Sequence, residues 1–327
     1  MAKLMLGTRE VTPAIFTNGG SGIGIPREIK NGVYQMPTES FTFSLPSEVT
    51  DVGSNGLYSA FYKCTGLTSV DLSSLTTISG IEGLYNAFRD CTTLTSVDLS
   101  SLTTVSGRGG LSQAFHKCKA LTSVDLSSLT TISGWYCLQG AFSYCTGLTS
   151  IDLSSLTTIS CDSGLQYAFS NCKALTSVDL SSLTTISGSD CLYQVFYYCQ
   201  ELTSVDLSSL TTISGDYVLQ SAFYNCKELT SVDLSSLTTI SGDYVLQYAF
   251  QGCTRLTDIY FRVLTTSSFG SKTNQFDSMM KDTGTTTTHT IHFPSNLEST
   301  ISGLTGYPLF GGTSGYVTLA FDLPATS

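Results

Sequence analysis

Seven aspartates recur at a fixed interval along the chain: Asp71, Asp98, Asp125, Asp152, Asp179, Asp206 and Asp233. A row of carboxylates can collect cations or dock a basic partner. Each stands between two apolar residues, as Asp71 does between Val70 and Leu72. On a strand, that alternation turns the aspartate outward. In a parallel stack neighbouring carboxylates would lie about 4.8 Å apart and repel by roughly 1 kcal/mol in water. Isolated surface charges rarely bind ions tightly, which favours a second reading: a solvated ladder tied down by neighbouring Ser and Thr and kept by recent duplication.

Tyrosine forms the other chemical set. Tyr85, Tyr167, Tyr193, Tyr197, Tyr198, Tyr224 and Tyr248 flank a recurrent Ala-Phe or Val-Phe pair. The turns ahead of it add Trp135, Tyr136, Tyr217 and Tyr244. Their neighbours are Ser, Asn, Gln and Gly, and this mixture is the chemistry of antibody-like contact surfaces. Drift at exposed positions is the alternative. Yet the outward strand residues, such as Ser69, Asp71 and Ser73, scarcely vary between units. The variable side is therefore the candidate recognition face, with the sheet as constant scaffold.

The remaining reactive residues point to no catalysis. His116 stands alone, and His289 and His292, three apart on a strand, face opposite sides. Eight of the eleven cysteines fall on an apolar stripe and read as structural thiols. Cys137, Cys161 and Cys191 fall in turns and are expected to be more exposed, with a Cys161 bridge to Cys137 or Cys191 left open. No C-x-x-C spacing signals a metal. The Gly-rich run 18–24 lacks the Lys-Ser/Thr ending of a phosphate loop and reads as a linker. No enzyme activity, metal or cofactor is expected.

These side chains need a scaffold that repeats. Phe61, Phe88, Phe115, Phe142, Phe169, Phe196, Phe223 and Phe250 are each 27 residues apart, with Cys three residues after each. Such a period marks a solenoid. Within one unit Leu57, Ala60, Phe61, Cys64 and Leu67 follow helical spacing and predict a short helix. Val70 and Leu72 then alternate with Asp71 and predict a short strand. Gly80 lets the chain turn into the next unit.

The segment Leu67-x-x-Val70-x-Leu72-x-x-Leu75 resembles the leucine-rich-repeat signature, and Ala-Phe-x-x-Cys-x-x-Leu resembles its BspA-like bacterial branch. The resemblance implies an α/β solenoid, a right-handed superhelix of eight units with a parallel sheet on one side and short helices on the other. It also implies a surface or adhesion protein without catalytic residues, binding a protein or glycan. The opening LGTREVTP and the closing HFPSNL and FDLPATS resemble segments of phage or prophage tail-associated repeat proteins, which implies a tail-fibre-type receptor-binding component; a structural spacer without a specific ligand is the other alternative.

The expected divisions are an attachment hairpin at 1–16, a linker at 17–32 and an N-terminal cap at 33–56. Eight repeats at 57–264 follow, then a divergent repeat and closing strand at 265–327. Phe276 and Met279 echo the Phe-x-x-Cys spacing of the regular units. Only 12% of the 327 residues are charged and the net charge is −10, which argues against nucleic acid and anionic membranes. No apolar run approaches the roughly 20 residues of a membrane span. Arg9 and Glu10 interrupt any signal-peptide core, so general secretion is not expected. A phage particle or bacterial surface is the placement the resemblance implies, the cytoplasm otherwise.

Overall fold

The computed structural model describes residues 4–6, 9–11, 28–30, 33–35, 40–45, 47–269, 274–283, 287–304, 310, 312 and 316–324. The Gly-rich run 18–24 lies outside the described residues. What is described is a solenoid. Its main sheet runs from Phe41–Ser44 through Leu67–Asp71 and six strands such as Ser123–Asp125 to Asp258–Tyr260, His289–Pro294 and Val317–Leu323, all parallel. Leu4–Leu6 pairs antiparallel with Phe41–Ser44, and Arg9–Val11 pairs outside it. A second parallel sheet of two-residue strands, Thr77–Ile78 to Thr239–Ile240, forms another side. Strands recur at 27-residue spacing and less regular coils continue them, so the stack has about ten turns.

The expected helix is absent. The Leu-Ala-Phe-Cys segment is a chain of four-residue turns, with positive φ at every fourth residue, as at Tyr136, Gly140 and Tyr144. Alternate amides close these turns: Ala141 N–H donates to Leu138 O at 3.0 Å and Ser143 N–H to Gly140 O at 3.1 Å. The amides between them reach the next coil: Gly140 N–H donates to Gln166 O at 2.8 Å and Phe142 N–H to Ala168 O at 2.9 Å. Backbone groups that a helix would satisfy within itself are thus satisfied between coils. The buried face is the one the spacing predicts, because a four-residue turn and a helical turn of 3.6 residues bring nearly the same positions inward.

One continuous core fills the stack. The eight phenylalanines are almost fully buried. Successive rings stack at 5.2–5.8 Å, for example Phe88 on Phe115 at 5.2 Å and Phe169 on Phe196 at 5.8 Å. Threonines bind the coils from outside, as when Thr103 Oγ1 donates to Thr76 O at 3.0 Å. Gly80 serves close approach rather than positive φ, since a Cβ there would lie 2.3 Å from the Gly53 carbonyl carbon.

Each Cys of the stripe from Cys91 to Cys253 donates its Sγ–H to the Phe carbonyl of the preceding coil, Cys172 to Phe142 O at 3.1 Å. Cys137, Cys161 and Cys191 are buried too, contrary to the expectation of exposure. Cys137 and Cys191 occupy an inward position of the turn, where Sγ–H donates to Gly134 O at 2.6 Å and Cys161 O at 2.9 Å. All eleven cysteines are free. Burial pushes the thiols of Cys118, Cys145 and Cys172 far up, and attack needs an accessible thiolate. A disulfide reagent such as DTNB is expected to find almost no thiol in the native protein and all eleven in concentrated guanidinium. Rapid native reaction would contradict the buried ladder.

At the closing end the inter-coil bonds shift by three residues. Phe250 N–H donates to Met279 O at 3.1 Å, whereas Phe223 N–H donates to Ala249 O at 2.9 Å. Met280 therefore follows Phe250 in the column, and Phe276 follows Leu246. His292 clamps this end: its Nε2 lies 3.1 Å from Asp258 Oδ1, its Nδ1 3.0 Å from Asp322 Oδ1, and its ring stacks on Tyr260 at 4.4 Å. His289 points the other way, buried against the Leu256 carbonyl.

Candidate binding face

The main sheet carries the acidic strip. Asp71, Asp98, Asp125, Asp152, Asp179 and Asp206 lie in register on neighbouring strands, Asp233 ends the next one, and all seven are exposed. Each Oδ1 accepts the backbone N–H two residues on, at distances from 2.8 Å at Ser235 to 3.0 Å at Ser73. In three coils the serine hydroxyl adds a second bond, Ser127 Oγ to Asp125 Oδ1 at 2.7 Å. This is an Asx turn, and it ends each strand. The recurrent Asp-Leu-Ser is its sequence signal. Among the described residues, no three His, Cys, Asp or Glu side chains converge as a metal set.

Hydrogen bonds from Ser73, Ser127 and Ser181 hold Asp71, Asp125 and Asp179 below the ordinary aspartate value, with the hydroxyl leading and the backbone N–H adding at Asp71 and Asp125. A carboxyl depressed in the folded state contributes stability that is full above its unfolded value and fades as pH falls through the folded one. Thermal midpoints are therefore expected to drop below about pH 4, and Asp125→Asn with Asp179→Asn to shrink that drop. A midpoint that is flat into acid would refute the assignment.

The turn side carries the variable residues. Each regular coil has three positive-φ positions, and only Gly109, Gly140 and Gly252 fill them with the residue that this backbone prefers. Seven hold tyrosine: Tyr136, Tyr144, Tyr167, Tyr198, Tyr217, Tyr244 and Tyr248. Left-handed backbone costs an L-residue roughly 1–2 kcal/mol.

The rings gather in groups. Tyr85 stacks on Tyr58 at 5.2 Å and Tyr217 on Tyr244 at 5.5 Å. Tyr167 meets Tyr193 edge-on at 5.3 Å. Tyr197, Tyr198 and Tyr224 form one cluster, with centroids 4.7, 4.8 and 5.6 Å apart. Tyr248 carries the Lys281 ammonium 5.4 Å from its centroid. Trp135 is 58% exposed and Tyr136 38%; among the described residues neither joins a ring cluster. Sequence reasoning passed over Tyr144, which is 43% exposed.

Between these groups the side is hollow. The position after Phe holds Tyr62, Arg89, His116, Tyr197, Tyr224 and Gln251 in six coils, but Ser143 and Ser170 in two. With Gly140 beside them, the small residues leave a cavity of about 360 Å³ whose ends are marked by His116 and Tyr197. Among the described residues, no helix is long and apolar enough to cross a membrane.

Several solved structures are similar to this chain. A leucine-rich cell surface protein of Faecalibacterium prausnitzii is similar at 21% identity, covering 94% of this chain and 86% of its own, with a TM-score of 0.39. A leucine-rich repeat protein of Treponema pallidum is 24% identical over 67% of this chain and 83% of its own, with a TM-score of 0.35. One from Bacteroides ovatus is 19% identical over 96% and 99%, with a TM-score of 0.30. No curated protein matches the chain. The model of the BspA type leucine-rich repeat region matches in six copies over residues 27–160, 112–240 and 166–279, and with most of its length so covered, the chain belongs to the BspA-type leucine-rich repeat family.

Proposed function

We propose that this protein is a non-enzymatic recognition or adhesion protein whose partner, a protein or a glycan, binds the tyrosine-rich turn side. One observation carries the reading: seven tyrosines occupy left-handed backbone positions that glycine would fill at less cost. Strained backbone kept by costly side chains is a mark of functional surfaces. Thirteen of the 17 tyrosines lie on this one side, from Tyr58 to Tyr248, and tyrosine is enriched at interfaces. The aspartates of the sheet are each committed to an Asx turn, and that role accounts for their constancy. A surface of host or bacterial cells, or a phage tail carrying this chain by residues 1–16, suits such a face.

The experiment compares the two sides. Labelled full-length chain is applied to panels of bacterial and epithelial cells beside two variants, Tyr197→Ala/Tyr198→Ala/Tyr224→Ala and Asp98→Asn/Asp152→Asn/Asp206→Asn. Loss with the tyrosine variant alone supports the reading. Loss with the aspartate variant alone moves the site to the sheet. Binding to no cell type by the unaltered chain would favour a structural spacer.

A further inference from the structure

The hollow on the turn side has a definite chemistry. Its volume of about 360 Å³ falls within the range of roughly 300–1,000 Å³ typical of small-ligand sites. Tyr144, Tyr167 and Tyr197 present rings around it, and Gln113, Gln139 and Gln194 present amides. None of its lining residues is Asp, Glu, Lys or Arg. His116, the one basic side chain, is held down to about 4 by burial first and by the nearby Arg89 and Lys117 charges second, so it is neutral at physiological pH.

The amides are fixed at one end and open at the other. Gln139 Nε2 donates to Gln166 Oε1 at 2.6 Å, Gln194 Nε2 to the Tyr193 hydroxyl at 3.1 Å, and Asn171 Nδ2 to Ser170 Oγ at 3.0 Å. Gln113 Oε1 accepts from Arg89. Each side-chain amide has both donor and acceptor atoms, and no bond found among the described residues uses the side-chain carbonyl of Gln139, Gln194 or Asn171. Three oriented acceptors and the Gln113 amide donor therefore border one cavity with aromatic faces. Restraint before binding lowers the entropy cost of capture.

No lining residue supplies a countercharge for an anion, and the two nearby cations are already engaged, Arg89 with Gln113 and Lys117 over the Tyr144 ring; an apolar side chain would leave the amides without partners. A molecule with hydroxyls around its rim and C–H groups on its faces satisfies both sets. We infer that the groove from Gln113 to Tyr197 is a binding subsite for a neutral saccharide. This inference rests on the turn side being the recognition face, and it names the ligand class of part of that face.

The test uses the full chain on a printed array of neutral oligosaccharides and their sialylated and sulfated counterparts, then calorimetry with the strongest neutral binder. Gly140→Tyr fills the groove. Its φ of +58° is one that Tyr167 and Tyr248 already adopt, and a Cβ there meets Gln113 Cγ at an ordinary 3.6 Å. Ser59→Tyr, at the equivalent position of the first coil, is the control. Gln139→Ala/Gln194→Ala removes hydrogen bonds without adding bulk and decides the matter if Gly140→Tyr misfolds.

The expected result is binding to neutral sugars that acidic groups do not strengthen. Gly140→Tyr or the double glutamine variant should weaken it about tenfold or more, and Ser59→Tyr should leave it unchanged. A blank array, or binding to acidic sugars alone, overturns the inference, and so does sugar binding indifferent to both groove changes. If the tyrosine cluster variant still loses cell binding in those cases, the recognition face stands and only the saccharide falls. If cell binding persists as well, both fall.

Discussion

Phe169→Ala is expected to cost about 3–5 kcal/mol of folding stability, the range for truncating a buried aromatic ring. Phe169 is fully buried, with Phe142 at 5.7 Å on one side and Phe196 at 5.8 Å on the other. Neither neighbour can settle into the void, because its own coil is pinned by backbone bonds. Phe142 N–H donates to Ala168 O at 2.9 Å, and Phe169 N–H to Val195 O at 3.0 Å. Removing the ring also ends two stacked contacts, each adding about 0.5–1.5 kcal/mol beyond area. In a solenoid each coil leans only on its neighbours. A weak coil in the middle should therefore divide the stack, and denaturation followed by circular dichroism should broaden or split into two steps. Phe169→Leu, which keeps most of the volume, should lose far less and keep one transition. A midpoint for Phe169→Ala close to that of the unaltered protein would mean that the ring column is not what joins the coils.

The period and the buried face were legible in the sequence because they depend on which residues are apolar and how often they recur. Phe61 to Phe250, the Cys stripe and the Val-Asp-Leu strands all stand on the sides that spacing assigns. The backbone of the turn side was not legible. Leu57, Ala60, Phe61 and Cys64 mark an inward face equally well for a helix and for a chain of four-residue turns. The difference lies in hydrogen bonds to a neighbouring coil, which no single unit contains. The burial of Cys137 and Cys191 was hidden for the same reason. Each takes an inward place that Gly83, Gly110 and Gly164 fill elsewhere, and a glycine column does not announce that it faces a core. The Asp ladder was seen, but its Asx turns were not drawn from Asp-Leu-Ser. The groove was also out of reach, since it consists of side chains that are missing, Ser143 and Ser170 against the larger residues of other coils. Only stacking turns three small residues into a volume.

Tyr197→Ala/Tyr198→Ala/Tyr224→Ala should weaken partner binding by at least about 30-fold, the scale of a hot spot worth 2 kcal/mol or more. The three rings form one mutually packed cluster within 5.6 Å, half-buried and held in fixed poses. Rigid aromatic side chains carry contact area at small entropic cost, so their truncation removes more binding energy than that of flexible polar neighbours. Folding should suffer much less. None of the three belongs to the buried phenylalanine column, and alanine at position 198 faces the same left-handed backbone, φ 59°, as tyrosine does. Some stability still goes with the ring contacts, so the variant should melt lower but cooperatively, with an unchanged circular dichroism spectrum. Tyr198→Gly separates the two effects: glycine relieves the backbone, so it should bind as poorly as Tyr198→Ala while melting higher than it. A cluster variant that keeps both its fold and its binding would remove the turn side as the recognition face.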